Sequence, residues 1–152
     1  MRGLECVVMG SPLLIPVDHV EQIVEYAVSA APPLAQPWVG GLAVLGERLV
    51  TSVRLGASPS TEAPRSAKGL WVRRGGTRMG VVVEVERVGA MITAERTLEP
   101  VGATHLVCPE RWLGQVRRTR GDTLLLLEVL SMLTDLEATT PDARGEHDVA
   151  AG

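Results

Sequence analysis

The sequence has no phenylalanine, a single lysine (Lys68) and only two cysteines in 152 residues, and each shortage closes off a class of protein. With Tyr26, Trp38, Trp71 and Trp112 as the only aromatic residues, the core must be built from aliphatic side chains, chiefly Val and Leu. Cys6 and Cys108 cannot supply the dense disulfide framework of a small secreted domain, and neither lies in a C-x-x-C pair, which points to a reducing, cytoplasmic compartment. No stretch approaches the ~20 uninterrupted apolar residues that span a bilayer. Glu5, Pro12 and Pro16 interrupt what would be the apolar part of an export signal. The expectation is a cytoplasmic protein with no direct membrane insertion. Fifteen basic against eighteen acidic residues leave a net charge of −3, too small a field to draw the whole chain onto nucleic acid.

What is present is a succession of short apolar runs separated by Gly and Pro. Leu4–Met9 and Leu13–Val17 read as strands around a turn at Gly10-Ser11-Pro12. Val20, Ile23, Val24 and Ala27 follow Asp18 at helical spacing, which predicts a short helix capped by Asp18. Prolines 32, 33 and 37 mark an extended loop delivering Trp38 and Val39. Leu42–Leu45 and Leu49–Val53 predict a tight hairpin hinged at Gly46-Glu47. Residues 56–69, rich in Ser, Pro and Ala, read as a loop. A second hairpin is predicted from Leu70-Trp71-Val72 and Met79–Val85 around Gly75-Gly76. Thr93 reads as a cap for a helical turn at Ala94-Glu95-Arg96. Trp112–Val116 and Leu124–Val129 read as a last hairpin, and Leu130, Leu133 and Leu136 as a C-terminal helix. This predicts an all-β barrel architecture over residues 1–136, with 137–152 as a disordered acidic tail. No internal repeat stands out.

The chain carries no convincing catalytic constellation. His105 stands three residues before Cys108, but a lone H-x-x-C without a second pair is a weak metal or nucleophile signal, and Cys6 sits inside an apolar strand. Glu84 and Glu86 lie two apart and would share one strand face, with no acid/base partner nearby in sequence. Residues 65–120 hold 11 basic and 5 acidic groups (+6), against −3 before them and −6 after. One reading of this charge is a small β-barrel nucleic-acid- or protein-binding module, using Arg73, Arg74, Arg78, Arg117, Arg118 and Arg120. The bland reading of the same charges is pairing with the acidic parts of the chain.

The order of segments resembles the CheW family of chemosensory coupling proteins over roughly residues 4–136. The family's V-x-E-I-like motif is matched by Val17-Asp18-His19-Val20-Glu21-Gln22-Ile23, and its aromatic-Val-x-Gly step by Trp38-Val39-Gly40-Gly41. Its G-V-I-N-L-R-G-x-x-x-P-V-x-D-L lies without gaps over Gly41–Leu55. A Gly-apolar-V-V-D strand is matched by Gly80–Glu84, a T-A-E turn by Thr93-Ala94-Glu95, and a final L-L-L-D-x-x-x-L by Leu124–Leu127, Glu128 and Met132-Leu133.

The resemblance implies an all-β CheW-like fold, with two small five-stranded Src-homology-3-like barrels around a shared hydrophobic core and short helices including one at the C-terminus. It implies a non-enzymatic adaptor without cofactor or metal. Its expected partners are the signalling domain of a methyl-accepting chemoreceptor and other CheW-like proteins. By matching positions, Val20, Ile23, Gly40 and Gly41 of one barrel and Val82 and Val83 of the other would bind the receptor. The kinase interface falls at Gly46, Glu47, Arg54 and Leu55, where the sequence departs from the family. Val44 stands for Asn, Gly46 for Arg, Glu47 for Gly, Thr51 for Pro and Arg54 for Asp. Replacing Asp by Arg54 exchanges an acceptor-only carboxylate for five donors, and Gly46 removes a guanidinium fork. The loop after Leu55 also looks shorter than is usual. Binding to a CheA-type histidine kinase is therefore in doubt.

Overall fold

Valine and leucine runs too short for helices, each closed by Gly, Pro or a charged turn, fold into strands that complete one another's hydrogen bonding in two closed rings. The structure, a computed structural model, describes residues 1–29, 35–56, 65–75 and 80–138. Its strands are β1 (Arg2–Val8), β2 (Ser11–Pro16), β3 (Val20–Val28), β4 (Val39–Leu45), β5 (Arg48–Val53), β6 (Arg65–Arg73), β7 (Gly80–Glu84), β8 (Arg87–Arg96), β9 (Leu113–Arg118) and β10 (Thr123–Leu127). Among the described residues one α-helix, α1 (Val129–Ala138), follows. One barrel, here the terminal barrel, closes in the order β1-β2-β10-β9-β8, and the other, the central barrel, in the order β3-β4-β5-β7-β6.

The two circuits are the same circuit started at different points. Read from β8, the terminal barrel runs β8-β9-β10-β2-β1, which matches β3-β4-β5-β7-β6 strand for strand. Each has one parallel contact, β10 with β2 and β5 with β7, and all other neighbours are antiparallel. The central barrel is thus inserted between the second and third strands of the terminal one.

The core sits where the barrels meet. Cys6, Val8, Leu13 and Ile15 of β1 and β2 face Leu70, Val72, Val81 and Val83 of β6 and β7, joined by Val53, Leu55, Leu106, Trp112 and Leu127. Helix α1 lies against the same core through Val129, Met132, Leu133 and Leu136, an i, i+3, i+4, i+7 stripe. Opposite strand faces fill the two barrel interiors, Leu14, Ala94, Val116, Leu124 and Leu126 in one and Tyr26, Val28, Ala43 and Val82 in the other. The period-2 alternation explains this: Leu13 and Ile15 go to the shared core while Leu14 goes inward.

Four expectations need correction. The short helix or helical turn expected after Asp18 is one 3-10 turn, Val17–His19, and Val20, Ile23, Val24 and Ala27 belong to β3, because Tyr26 and Val28 gain a barrel interior that a helix would not reach. Residues 65–69 of the predicted loop belong to β6, where Arg65–Gly69 pair with β3. The predicted turn at 94–96 is the end of β8, which pairs along β1. Helix α1 continues through Ala138, past the expected boundary at 136. The hairpins at Gly46-Glu47 and over 113–127 form as expected, with Leu45 opposite Arg48 and Arg117 opposite Thr123. Most of the loop after Leu55, the turn residue Gly76 and the tail from 139 lie outside the described residues.

Candidate functional site

The six expected receptor-binding positions all fall in the central barrel, on β3, β4 and β7, where two barrels were expected to share them. Val82 fills that barrel's interior and Val83 the core between the barrels, both without solvent exposure. They shape the scaffold and present no surface. Gly40 and Gly41 are also buried, and their lack of a side chain is structural. A Cβ on Gly41 (φ +141°) would run into the Ser29 carbonyl, and one on Gly40 would collide with the Glu84 carboxylate. Val20 is half-buried against the shared core, and Ile23 is 52% exposed. Surface contact at this group of positions rests on β3.

The kinase-interface positions also divide. Gly46 (φ +61°) and Glu47 form the exposed turn between β4 and β5. Arg54 is half-buried, its backbone N–H donating to the Trp38 carbonyl at 2.7 Å. Leu55 is fully buried in the shared core and cannot touch a partner.

One polar network was not anticipated. At one end of the central barrel, Arg65 donates to both carboxylate oxygens of Glu84 at 2.9 and 2.7 Å and to the Gly40 carbonyl at 3.4 Å. The Ser52 hydroxyl donates to Glu84 Oε2 at 2.6 Å, and the Tyr26 hydroxyl lies 3.3 Å from Ser52. Burial pushes the Tyr26 phenol above its ordinary range, so it stays protonated. The pair is well shielded, with side-chain exposures of 15% and 10%. Glu84 closing an apolar strand was the available signal, since a buried acid needs a cation. Its partner was hidden because Arg65 lies in the segment read as loop. Glu86, expected on the same strand face, lies beyond β7 and accepts from the Gly10 N–H at 2.6 Å.

The remaining candidates are built into the structure. The Nε2 of His105 lies 2.8 Å from the Met9 carbonyl and 3.0 Å from the Ser11 hydroxyl. Burial raises the Cys108 thiol to about 11 and the Cys6 thiol to about 12, leaving both as unreactive thiols at neutral pH. Among the described residues no group of three or more His, Cys, Asp or Glu side chains is placed to hold a metal ion. Of the arginines proposed for phosphate, Arg73 pairs with Glu21, Arg74 with Glu137, Arg117 with Glu99, Arg118 with Glu5 and Asp122, and Arg120 with Asp122. Arg78 lies outside the described residues. The basic middle of the chain is largely consumed by its own acids. No helix among the described residues is long and apolar enough to cross a membrane.

No protein-family model and no curated protein matches the chain. Among solved structures it is similar to the scaffolding protein TtCheW from Thermoanaerobacter tengcongensis, with 12% sequence identity and a TM-score of 0.58. The likeness covers 84% of this chain and 88% of that one. At that identity it establishes the fold: two barrels on a shared core, closed by a C-terminal helix, are the CheW fold.

Proposed function

We propose that the protein is a non-enzymatic, cytoplasmic chemosensory adaptor in which residues 1–136 act as one unit. It binds the cytoplasmic tip of a methyl-accepting chemoreceptor and engages a CheA-type histidine kinase weakly or not at all. The observation that carries this reading is the CheW fold, found in a solved scaffolding protein, on a chain whose motifs follow the family's order. The receptor's helical hairpin lays an apolar face beside β3, where Val20 and Ile23 supply the accessible aliphatic surface, while Gly40 and Gly41 act only by letting β4 pack within the barrel. Loss of kinase binding rests on Gly46 and Glu47, which stand exposed where the family carries Arg and Gly, and on Arg54 in place of Asp. Reversing rim charges turns attraction into repulsion. An arginine-rich adaptor of this kind, with one lysine and an acidic C-terminal segment, resembles the accessory coupling protein FrzB of the gliding-bacterium Frz pathway.

Pull-down with a receptor signalling domain and, separately, with the kinase's regulatory domain tests both halves. Retention of receptor with little kinase is the expected result. Absence of receptor binding at micromolar concentration overturns the adaptor reading, and kinase binding as tight as an ordinary coupling protein's overturns the second half alone.

A further inference from the structure

The two barrels share a circuit, so each seam in one has a counterpart in the other, and one seam differs. In the terminal barrel β8 and β9 are zipped by three pairs, Ala94 with Arg118, Glu95 with Arg117 and Arg96 with Val116. The Thr97 N–H extends the ladder to the Gln115 carbonyl at 3.1 Å. In the central barrel β3 and β4 keep only Val28 opposite Ala43, extended by the Ser29 N–H to the Leu42 carbonyl at 2.9 Å. Pairs that the shared circuit would place next, Tyr26 with Leu45 and Ala27 with Val44, are missing. A cavity of about 490 Å³ opens there, lined by Gln22, Ile23, Val24, Leu45, Arg48 and Trp71 among others.

What fills the corresponding place in the terminal barrel is an ion network. Arg118, the counterpart of Leu45, holds Glu5, the counterpart of Trp71, through bonds of 2.5 and 2.6 Å, and also pairs with Asp122, the counterpart of Arg48. The central barrel has apolar side chains at the first two positions and leaves the seam open. Among the described residues β3 from Val20 to Tyr26 therefore has a ladder on its β6 side and none on its β4 side. A row of backbone N–H and C=O groups in that state is a template for another strand.

We propose that the free edge of β3 takes up an extended segment of a partner protein by strand addition, and that this segment carries an apolar run flanked by Lys or Arg. An extended chain is the occupant that satisfies a strand edge; a helix has no free backbone groups to offer it. Alternation sends the added strand's inward side chains over Val24 and Trp71, which calls for apolar residues. On the outer face β3 presents Ile23 and Glu25, both exposed. Glu21 stands exposed at the bulge between Val20 and Gln22 with its carboxylate already on Arg73 at 2.7 Å, so among the described residues Glu25 is the acid an added strand meets unpaired by a salt bridge. A neighbouring strand therefore meets acid, apolar and acid, and basic residues at the flanks complement it. The same pattern disfavours a second copy, since antiparallel pairing of β3 with itself about Ile23 sets Glu21 against Glu25 on both sides. The argument for this edge does not rest on the adaptor reading, although the strand would share Ile23 with the surface assigned there to the receptor.

The test uses the full chain and a blocked peptide, Gly-Ser-Lys-Val-Ile-Val-Lys-Ser-Gly, beside the same peptide with Glu for both lysines. Amide exchange followed by NMR is expected to slow at residues 20–26 with the Lys peptide, saturably, and not with its version N-methylated on the edge-facing amides. Glu25→Lys is expected to shift preference about fivefold toward the Glu peptide, and Glu25→Gln, which adds no repulsion with neighbouring Lys68, to erase most of the preference. Three results each overturn the proposal: no protection of β3 at millimolar Lys peptide, equal protection by both peptides in all three proteins, or β3 already protected in peptide-free protein that sediments as a dimer.

Discussion

The terminal and central barrels solve one folding problem with different interiors. Counterpart positions around the circuit hold Leu14 and Val82, Leu126 and Ser52, Ala94 and Tyr26, Val116 and Ala43. The terminal interior is apolar throughout, while the central one threads a hydroxyl pair to the Glu84–Arg65 salt bridge. What the barrels keep in common is backbone geometry. Gly3 and Gly69 occupy equivalent places, and a Cβ on either would strike the strand opposite, at the Leu14 side chain and Ile15 carbonyl in one case and at Val82 and the Val83 carbonyl in the other. Trp112 and Trp38 are equivalent too, each accepting at 2.7 Å from the residue after a core strand, Glu128 and Arg54. The lesson is that register and close approach define this barrel, and the chemistry inside it is free to diverge.

The two tryptophans offer the largest effect by which to sharpen that comparison. They meet edge to face with ring centroids 5.4 Å apart. Trp112 is fully buried and its Nε1–H donates to Asp135 at 2.5 Å, tying α1 to the core, whereas Trp38 is only partly buried. Trp112→Ala is expected to cost about 3–5 kcal/mol, and Trp38→Ala about half as much. Denaturant unfolding of the two variants checks this, and equal losses would mean that the barrels lean on their shared core alike.

The salt bridges that close the barrel ends come next. Arg96 donates to both oxygens of Glu128 at 2.6 and 2.8 Å in the terminal barrel, but Arg96 is 55% exposed. Arg65→Met strands the Glu84 carboxylate and its Ser52 donor in a shielded place, at a cost of about 3 kcal/mol, the low end for breaking a buried pair. Arg96→Met removes a solvated pair worth roughly 1 kcal/mol or less. If the two variants unfold at the same denaturant concentration, the central barrel's polar interior is not under the strain of burial assigned to it.

Much of this fold was legible in sequence because the strands of a small barrel announce themselves by alternation and by their turns. The hairpin at Gly46-Glu47 and the helix read from Leu130, Leu133 and Leu136 are local signals, set by φ and by period, although the face that packs is Val129, Met132, Leu133 and Leu136, with Val129 read as strand and Leu130 left exposed. What stayed hidden was non-local. Val20, Ile23, Val24 and Ala27 match a helical period, and only the partner strand β6 decides that they form β3. The circuit repeat escaped because it lies in register and face, not residue identity, and because the terminal copy is split around the central one. For the site, apolar motif residues such as Val82, Val83 and Leu55 cannot be divided into core and surface by sequence alone. Arg65 and Glu84 could be joined only once β6 and β7 were adjacent.

The smallest expected difference concerns acid, and it falls on the terminal barrel. The Arg118 guanidinium, bonded to both oxygens of Glu5, holds that carboxyl below its ordinary 4.5 against the opposing effect of partial burial. A carboxyl depressed by folding stabilises the native state fully above its unfolded pKa, and that contribution drains away as pH falls through the folded value. At the matching place the central barrel has Trp71, which does not titrate. Glu5→Gln is therefore expected to lower the melting temperature slightly at pH 7, and to converge with the unaltered protein as pH falls through the depressed folded value of Glu5, below which that carboxyl is uncharged in both native and unfolded states. Asp122, whose carboxyl Arg120 also holds low, remains in the variant and leaves some acid sensitivity behind. Melting curves that run parallel for the two proteins from pH 7 to pH 3 would show that the Glu5–Arg118 pair contributes nothing that ionisation can remove. The open seam of the central barrel would then owe its difference from the terminal one to apolar packing alone.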